Sequence, residues 1–330
     1  MERKKWRGQF DFIMSALSYV IGLGNLWRFP IMCYRNGGGT FLICFLVITL
    51  VAGFPLLYLE CCLGQYGSVS VVSVWKVVPL FQGIGWTMLV CSWSLAIYYN
   101  MLIAYAVFYI ATVVTEEEPW KTCGHWWNTA SGITQMGNLR TEMALCLFCC
   151  WVLIFICLCK GIDSSGKAAY ITATVPYAIM VAIFTRVIPL EGSADGVLYL
   201  ITPKWELMVQ PKVWCDAAVQ VFYSMSICSG GIITLASYNR LGNNCLRDAI
   251  IIAVADCLTS ILCGVVIFAI LGHMANNMKV SIDAVLSRGA GLVYVVYPAA
   301  IADLSMATTW VVIFMSLIIT LGIGTMVRTQ

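Results

Sequence analysis

Charge is scarce in this chain, and histidine is scarcer still. Lysine, arginine, aspartate and glutamate together make up 11% of the 330 residues, and there are two histidines. So little charge excludes an ordinary solvated globular surface, and a net charge of +3 is too small and too dispersed for a nucleic-acid partner. Two histidines and scattered cysteines give no zinc spacing. No nucleophile–base set, phosphate loop or metal-ligand cluster is readable, which argues against an enzyme. The alternating short segments of a β-barrel are missing. The expectation is also that no cleavable signal peptide is present, because the apolar run from Phe10 is too long and lacks a small-residue cleavage site. Cysteine is plentiful, at 16. Cys146, Cys149, Cys150, Cys157 and Cys159 lie inside apolar runs, where the plain reading is a small buried hydrophobe.

Apolar residues dominate, at 61%, and that defines an all-α polytopic membrane protein. Hydropathy marks eight spans, at 11–33, 40–63, 84–114, 143–159, 168–188, 215–238, 248–274 and 307–327, the third being the longest. Arg3, Lys4, Lys5 and Arg7 precede the first span, Lys160 and Lys167 follow the fourth, and Arg240 and Arg247 follow the sixth. With an even number of spans these fall on one side together with Lys76 and Arg328. The excess of positive charge makes that side, and the N-terminus, cytoplasmic. Longer opposite loops carry Glu116-Glu117-Glu118, Glu191, Asp195 and Glu206. The less apolar stretch 281–304, with Asp283, Arg288 and Asp303, fits either a re-entrant helix over an outer vestibule or a surface loop.

Two spans are interrupted. The first contains Gly22, Gly24, Asn25, Arg28 and Pro30 at membrane depth. Glycine and proline weaken a helix, and backbone freed in hydrocarbon is tolerated only against protein or a polar cavity. The sixth reads Gln220-Val221-Phe222-Tyr223-Ser224-Met225-Ser226-Ile227-Cys228-Ser229-Gly230-Gly231. Each glycine alone also suits close helix packing. Two interrupted helices in corresponding positions instead point to an ion and solute site between repeats. The organisation expected is a cytoplasmic N-terminus over 1–9, a first five-helix repeat over 10–188, and helices six to eight of an incomplete second repeat over 189–330.

The run Gly22-Leu23-Gly24-Asn25-Leu26-Trp27-Arg28-Phe29-Pro30, followed by Asn36-Gly37-Gly38-Gly39, resembles the signature of the neurotransmitter:sodium symporter family. Glu60 with Leu63-Gly64-Gln65-Tyr66, then Tyr98-Tyr99-Asn100, Ser165-Gly166-Lys167 and Ala236-Ser237-Tyr238-Asn239, extend the resemblance over almost the whole chain. It implies a partial five-plus-five inverted-repeat fold of about eight helices, the first and sixth broken at mid-membrane. The implied activity is sodium-coupled symport of a small amino acid or related carboxylate-bearing neurotransmitter across the plasma membrane. The glycine/proline carriers are the nearest branch in pattern.

Carried over by residue, the resemblance implies a first sodium site at the Val20 carbonyl, Asn25, Ser224 and Asp256. A second would use the carbonyls of Ser18, Ile21 and Leu321 with the Thr325 hydroxyl. Substrate would meet Val20, Gly22, Gly24, Tyr99, Tyr223, Ser226 and Ser229. Arg3 and Trp6 would serve a cytoplasmic gate and Arg28 an outer one, while Glu60 would brace the broken sixth span. Gly22, where monoamine carriers place aspartate, implies a carboxylate substrate that approaches sodium. A chloride-like site would use Gln220, Ser224 and Ser260.

Several positions depart from the family pattern. Asp256 replaces an asparagine, and Phe45 replaces a tyrosine of the chloride site. An aspartate beside chloride is repelled in a low dielectric, so the expectation is chloride-independent ion binding, with Asp256 either supplying the negative charge or protonated at rest. Ser229 stands where relatives carry an aromatic lid, Gly324 brings no side-chain oxygen, and Cys123 lacks a loop partner for a disulfide. The family's remaining spans are not in this chain. Three readings therefore stand: a symporter, a truncated non-transporting isoform, or an incomplete gene model of a full transporter. Partners would be an amino-acid-like solute, the bilayer, and a second copy or a full-length paralogue.

Overall fold

The computed structural model describes residues 5–115, 140–159, 161–282, 297 and 306–329. Among these every regular element is helical, and a single antiparallel bridge joins Gly38 to Pro203. Helix α1 (Gln9–Val20) leads through a π turn, Gly24–Arg28, into α2 (Phe29–Arg35). The wider turn follows from Pro30, which has no N–H to close an α bond to Leu26. The Phe29 N–H instead reaches five residues back to the Gly24 carbonyl. The same arrangement recurs in the next span. Helix α3 (Gly39–Ile48) passes through a π turn, Thr49–Gly53, into α4 (Phe54–Gly67). There the Phe54 N–H bonds to the Thr49 carbonyl, and Pro55 is the second residue of α4.

The remaining helices are α5 (Gln82–Thr115), α6 (Thr141–Leu158), α7 (Ile162–Val187), α8 (Ser193–Ile201), α9 (Trp205–Met208), α10 (Pro211–Ser224), α11 (Gly231–Ala236), α12 (Cys245–Met278) and α13 (Ala307–Thr329). Among the described residues, six helical segments are long and apolar enough to cross a membrane, and the α1–α2 pair, bent by 45°, makes a seventh if it counts as one span. The sixth expected span, 215–238, is divided. Helices α10 and α11, of 14 and 6 residues, are each too short to cross about 30 Å of hydrocarbon alone. Helix α12 runs past its expected limits of 248 and 274, and its 34 residues equal those of α5. Arg3, Glu116–Glu118, Cys123 and most of 281–304 lie outside the described residues.

Helix α1 packs against α7, α12, α13 and α11, and α5 against α13 and α6. Beside the first π turn, Phe29 meets Phe45 edge-on at 5.1 Å and Phe41 at 6.1 Å. On the far side of the bundle from the N-terminus, the Gly39 N–H donates to the Thr202 carbonyl (3.3 Å) and the Thr40 hydroxyl to the Lys204 carbonyl (2.9 Å). These bonds fix the start of α3 to the loop after α8.

Helices α8 and α12 touch through glycine. A Cβ at Gly196 would lie 1.9 Å from the Phe268 carbonyl oxygen, and one at Gly272 would lie 2.4 Å from that of Gly192. Close approach of this kind substitutes for the hydrophobic drive that helices lack in lipid. Gly196→Val is expected to force the two helices apart and cost about 1–3 kcal/mol or more, read as a lower unfolding midpoint in detergent. Gly83→Ala, whose Cβ would meet nothing within 4 Å, is expected to leave the midpoint unchanged or slightly raised. Equal midpoints for Gly196→Val and the parent would refute the close contact.

Candidate functional site

The first break starts where the helical ladder stops. The Ile21 N–H still bonds to the Leu17 carbonyl (2.8 Å), but the Leu23 N–H turns to the Tyr99 hydroxyl of α5 (2.9 Å). Gly22 sits so close to α5 and α13 that a Cβ there would lie 2.5 Å from Thr325 Oγ1 and 2.8 Å from the Tyr99 hydroxyl. No side chain fits. The Thr325 hydroxyl is shared between the carbonyls of Tyr19 (3.4 Å) and Leu321 (3.3 Å). Ser18 of α1 pairs its hydroxyl with Thr172 of α7 at 2.7 Å. At Gly324 a Cβ would come within 2.9 Å of both the Ser18 carbonyl and hydroxyl oxygens. The Ser18 hydroxyl thus borders the space that a side chain at 324 would need. Ser18, Leu321 and Thr325 are brought together by α1 and α13.

A second cluster lies on the other side of the break. Asp256 of α12, wholly buried, accepts from the Asn25 amide (2.7 Å) and the Ser224 hydroxyl (2.7 Å) on the same oxygen, Oδ1. The Asn25 amide also donates to the Ser260 hydroxyl (3.1 Å), and Gln220 donates to the Gly24 carbonyl (3.4 Å). Asn25, Ser224, Asp256, Gln220 and Ser260 therefore converge as the residue pattern anticipates. Three oxygens are left over: Asn25 Oδ1, Gln220 Oε1 and Asp256 Oδ2 are all buried with no hydrogen-bond partner. Each such orphan costs about 1–3 kcal/mol. Acceptor oxygens with a nearby carboxylate suit a hard cation. They differ from a transition-metal site, and among the described residues no group of three His, Cys, Asp or Glu is placed to hold a metal. Phe45, expected to mark a lost hydroxyl, stacks on Phe41 at 6.4 Å within the aromatic cluster.

The second break is held in an unusual backbone. Ser226 and Cys228 have φ of 52° and 65°, left-handed values that cost a non-glycine residue free energy and cluster at functional sites. Glu60 of α4 is buried, and its Oε1 accepts the freed Cys228 N–H at 2.7 Å. Between the breaks is a cavity of about 20 Å³ whose lining includes Gly22, Gly24, Tyr99, Tyr223, Ser226 and Thr325. That volume holds roughly one water.

Ser229 is not among the residues that line the cavity. Its carbonyl accepts the Ser92 hydroxyl at 2.8 Å, and with Cys228 tied to Glu60 the chain is drawn towards α5. The aromatic cover comes from Tyr223, whose ring would lie 2.9 Å from a Cβ on Gly24. The Arg28 guanidinium stands 4.5 Å over that ring, and the Tyr98 and Tyr223 hydroxyls are 3.2 Å apart. Tyr98 and Thr172 are residues that the sequence reading missed as contributors. Tyr98 was signalled only by its place beside Tyr99, and Thr172 by nothing local.

On the face that carries the N-terminal segment, Trp6 is buried. Its ring N–H donates to the Leu235 carbonyl (3.0 Å) and its backbone N–H to that of Tyr238 (3.0 Å). Gln9 and Asn243 each donate to one oxygen of Asp248 at 2.6 Å. Surface clefts of about 460 and 170 Å³ flank Trp6 and share no lining residue with the central cavity.

Comparison with known proteins places this geometry. The family model described as "Sodium:neurotransmitter symporter family" matches residues 3–133 and 129–330. The sodium- and chloride-dependent glycine transporter 1 of Xenopus laevis is 36% identical over 98% of this chain and 59% of its own length. The sodium- and chloride-dependent creatine transporter 1 of Oryctolagus cuniculus is 38% identical over 97% of this chain and 57% of its own, and that of Mus musculus gives the same figures. The chain thus spans less than two thirds of the length of these relatives. Their names carry chloride as well as sodium, so the expectation of chloride-independent ion binding draws no support from them.

The orphaned oxygens generate a direct test. Exchanging potassium for sodium at constant ionic strength is expected to raise the unfolding midpoint of the purified protein. Binding at a hundredfold excess over Kd is worth about 2.7 kcal/mol. In Asp256→Ala the sodium-induced shift is expected to vanish, whatever the variant's own midpoint. A shift of unchanged size would exclude Asp256 from the ion site.

Proposed function

The chain belongs to the sodium:neurotransmitter symporter family, and from that premise we propose that it carries a small amino acid or related carboxylate across the plasma membrane with sodium, by alternating access. The family is one of transporters rather than enzymes. The observation that carries the proposal is the meeting of an acceptor cluster at Asn25, Ser224 and Asp256 with a side-chain-free cradle at Gly22. A cation in the cluster would be met by a solute carboxylate at Gly22. Tyr99 accepts from Leu23, and its hydroxyl hydrogen, within reach of Thr325, would turn to that carboxylate.

Glycine and creatine, named for the relatives, both carry a carboxylate, and both enter the proposal as candidate solutes. Neither fits a space of about 20 Å³, so binding requires the cavity to widen. Tyr223, which Arg28 and Tyr98 hold in place, is the group that would move. The second sodium would be held by Ser18, Ile21, Leu321 and Thr325. The excess of lysine and arginine at the N-terminal face supports a cytoplasmic N-terminus. Glu60 braces the second break through Cys228, and Trp6 closes the N-terminal face.

The test is uptake of labelled glycine and creatine into vesicles that contain this chain, with sodium or choline outside. Sodium-dependent accumulation of one of them is expected, and Gly22→Asp is expected to lower it at least tenfold by filling the cradle. Accumulation that ignores sodium, or survives Gly22→Asp, would sink the proposal. The partial coverage of the relatives favours measuring binding separately: solute binding without accumulation would support the non-transporting reading. Replacing chloride with gluconate in the same assay reads the chloride requirement.

A further inference from the structure

None of the groups assigned above is a thiol, yet two thiols from different spans meet on the N-terminal face. Cys62 lies in the last turns of α4, and Cys245 opens α12 directly after its cap, Asn244, whose side chain accepts the Arg247 N–H at 3.1 Å. The Cys62 thiol is within hydrogen-bonding reach of the Cys245 thiol and of the Tyr58 hydroxyl. Cys245 Sγ stands 4.0 Å from the Cys61 carbonyl. Cys62 and Cys245 are both free and partly exposed, whereas Cys61 is buried.

The surroundings hold the pair in place. Gln65, on the same helix, donates to the carbonyls of Leu241 (3.1 Å) and Asn243 (2.8 Å). Asn243 in turn donates to Asp248. The segment that delivers Cys245 is thus tied to α4 on one side and to the first turn of α12 on the other. A disulfide forms only between thiols that are already neighbours, and these ties keep the Cys245 segment against α4.

We propose that Cys62 and Cys245 form an oxidisable dithiol, which hydrogen peroxide closes into a disulfide that pins α4 to the start of α12. One thiolate attacks peroxide, forming a sulfenic acid and releasing hydroxide. The other thiol then attacks the sulfenic sulfur, the S–S bond forms, and water leaves with the oxygen. Two thiols lose two electrons and one peroxide gains them. A thiol reductant reverses the step by exchange through a mixed disulfide. Neither residue belongs to the ion or solute site, so the proposal stands whether or not the chain transports.

The experiment treats the full chain in membranes with graded peroxide, blocks remaining thiols with N-ethylmaleimide, and maps peptides by mass spectrometry with and without dithiothreitol. The expected result is a cross-linked peptide pair containing Cys62 and Cys245. Dithiothreitol should remove it, as should Cys62→Ser or Cys245→Ser, and Cys61→Ser should retain it. Cys62→Ala and Cys245→Ala give the same reading should a serine variant fail to fold. Two results would overturn the proposal. One is Cys62 and Cys245 both recovered alkylated at doses that oxidise the exposed Cys159, just beyond the end of α6. The other is a cross-link that persists in Cys62→Ser by way of Cys61.

Discussion

A backbone N–H released from a helix at membrane depth has no water to turn to, and this obligation shapes the whole centre of the molecule. Two such groups define the site. The Leu23 N–H is taken by Tyr99 of α5, and the Cys228 N–H by Glu60 of α4. In both cases a broken element is supported by a continuous one from another part of the chain. Removing either acceptor would leave a buried donor unsatisfied, at about 1–3 kcal/mol, and at the second break the left-handed Ser226 and Cys228 already add strain. The breaks are therefore built features of the fold.

The balance of donors and acceptors then gives the site its character. Around Asp256 the amide of Asn25 and the hydroxyl of Ser224 donate to one carboxylate oxygen, and Gln220 donates to a main-chain carbonyl. What remains is three oxygens with nothing to accept. Water would satisfy such a set in a neutral pocket. A carboxylate in the set weights the choice towards a cation, because attraction between charges grows as the dielectric falls. The aspartate that departs from the family pattern thus lies at the centre of the network.

Much of this was legible in the residues, for reasons that differ from one element to the next. The first break was readable because glycine and proline act locally, and Pro30 and Pro55 each enforce a wider turn through a missing N–H. The grouping of Asn25, Ser224, Asp256 and Ser260 was implied by the family resemblance, and helical spacing alone gave only the pairing of Gln220 with Ser224 and of Asp256 with Ser260. The second break was only half legible. Hydropathy sees a continuous apolar run over 215–238, whereas the split into α10 and α11 depends on Glu60, distant in sequence. The position of Ser229 follows from the same long-range tie, through Cys228 and Ser92, and not from the run in which it sits. Tyr223 became the aromatic cover through its neighbours Gly24, Arg28 and Tyr98, and no local signal carries that.

The two faces of the central cavity are closed by unequal means. Among the described residues, Tyr223 is held by a cation–π contact and a hydroxyl pair, each worth about 0.5–2 kcal/mol. The N-terminal face is closed by the buried Trp6 ring, its two hydrogen bonds, and a network that runs from Gln9 through Asp248 and Asn243 to Gln65. Each of those bonds adds about 1 kcal/mol, and the ring adds its apolar burial. Among the described residues the contacts over Tyr223 are accordingly the weaker set. A cation at Asn25 and Asp256 would bind α12 to the π turn that carries Arg28, and so would act on the weaker closure. In a carrier that opens each face in turn, ion binding at Asn25 and the contact over Tyr223 would share one short segment, Gly24–Arg28.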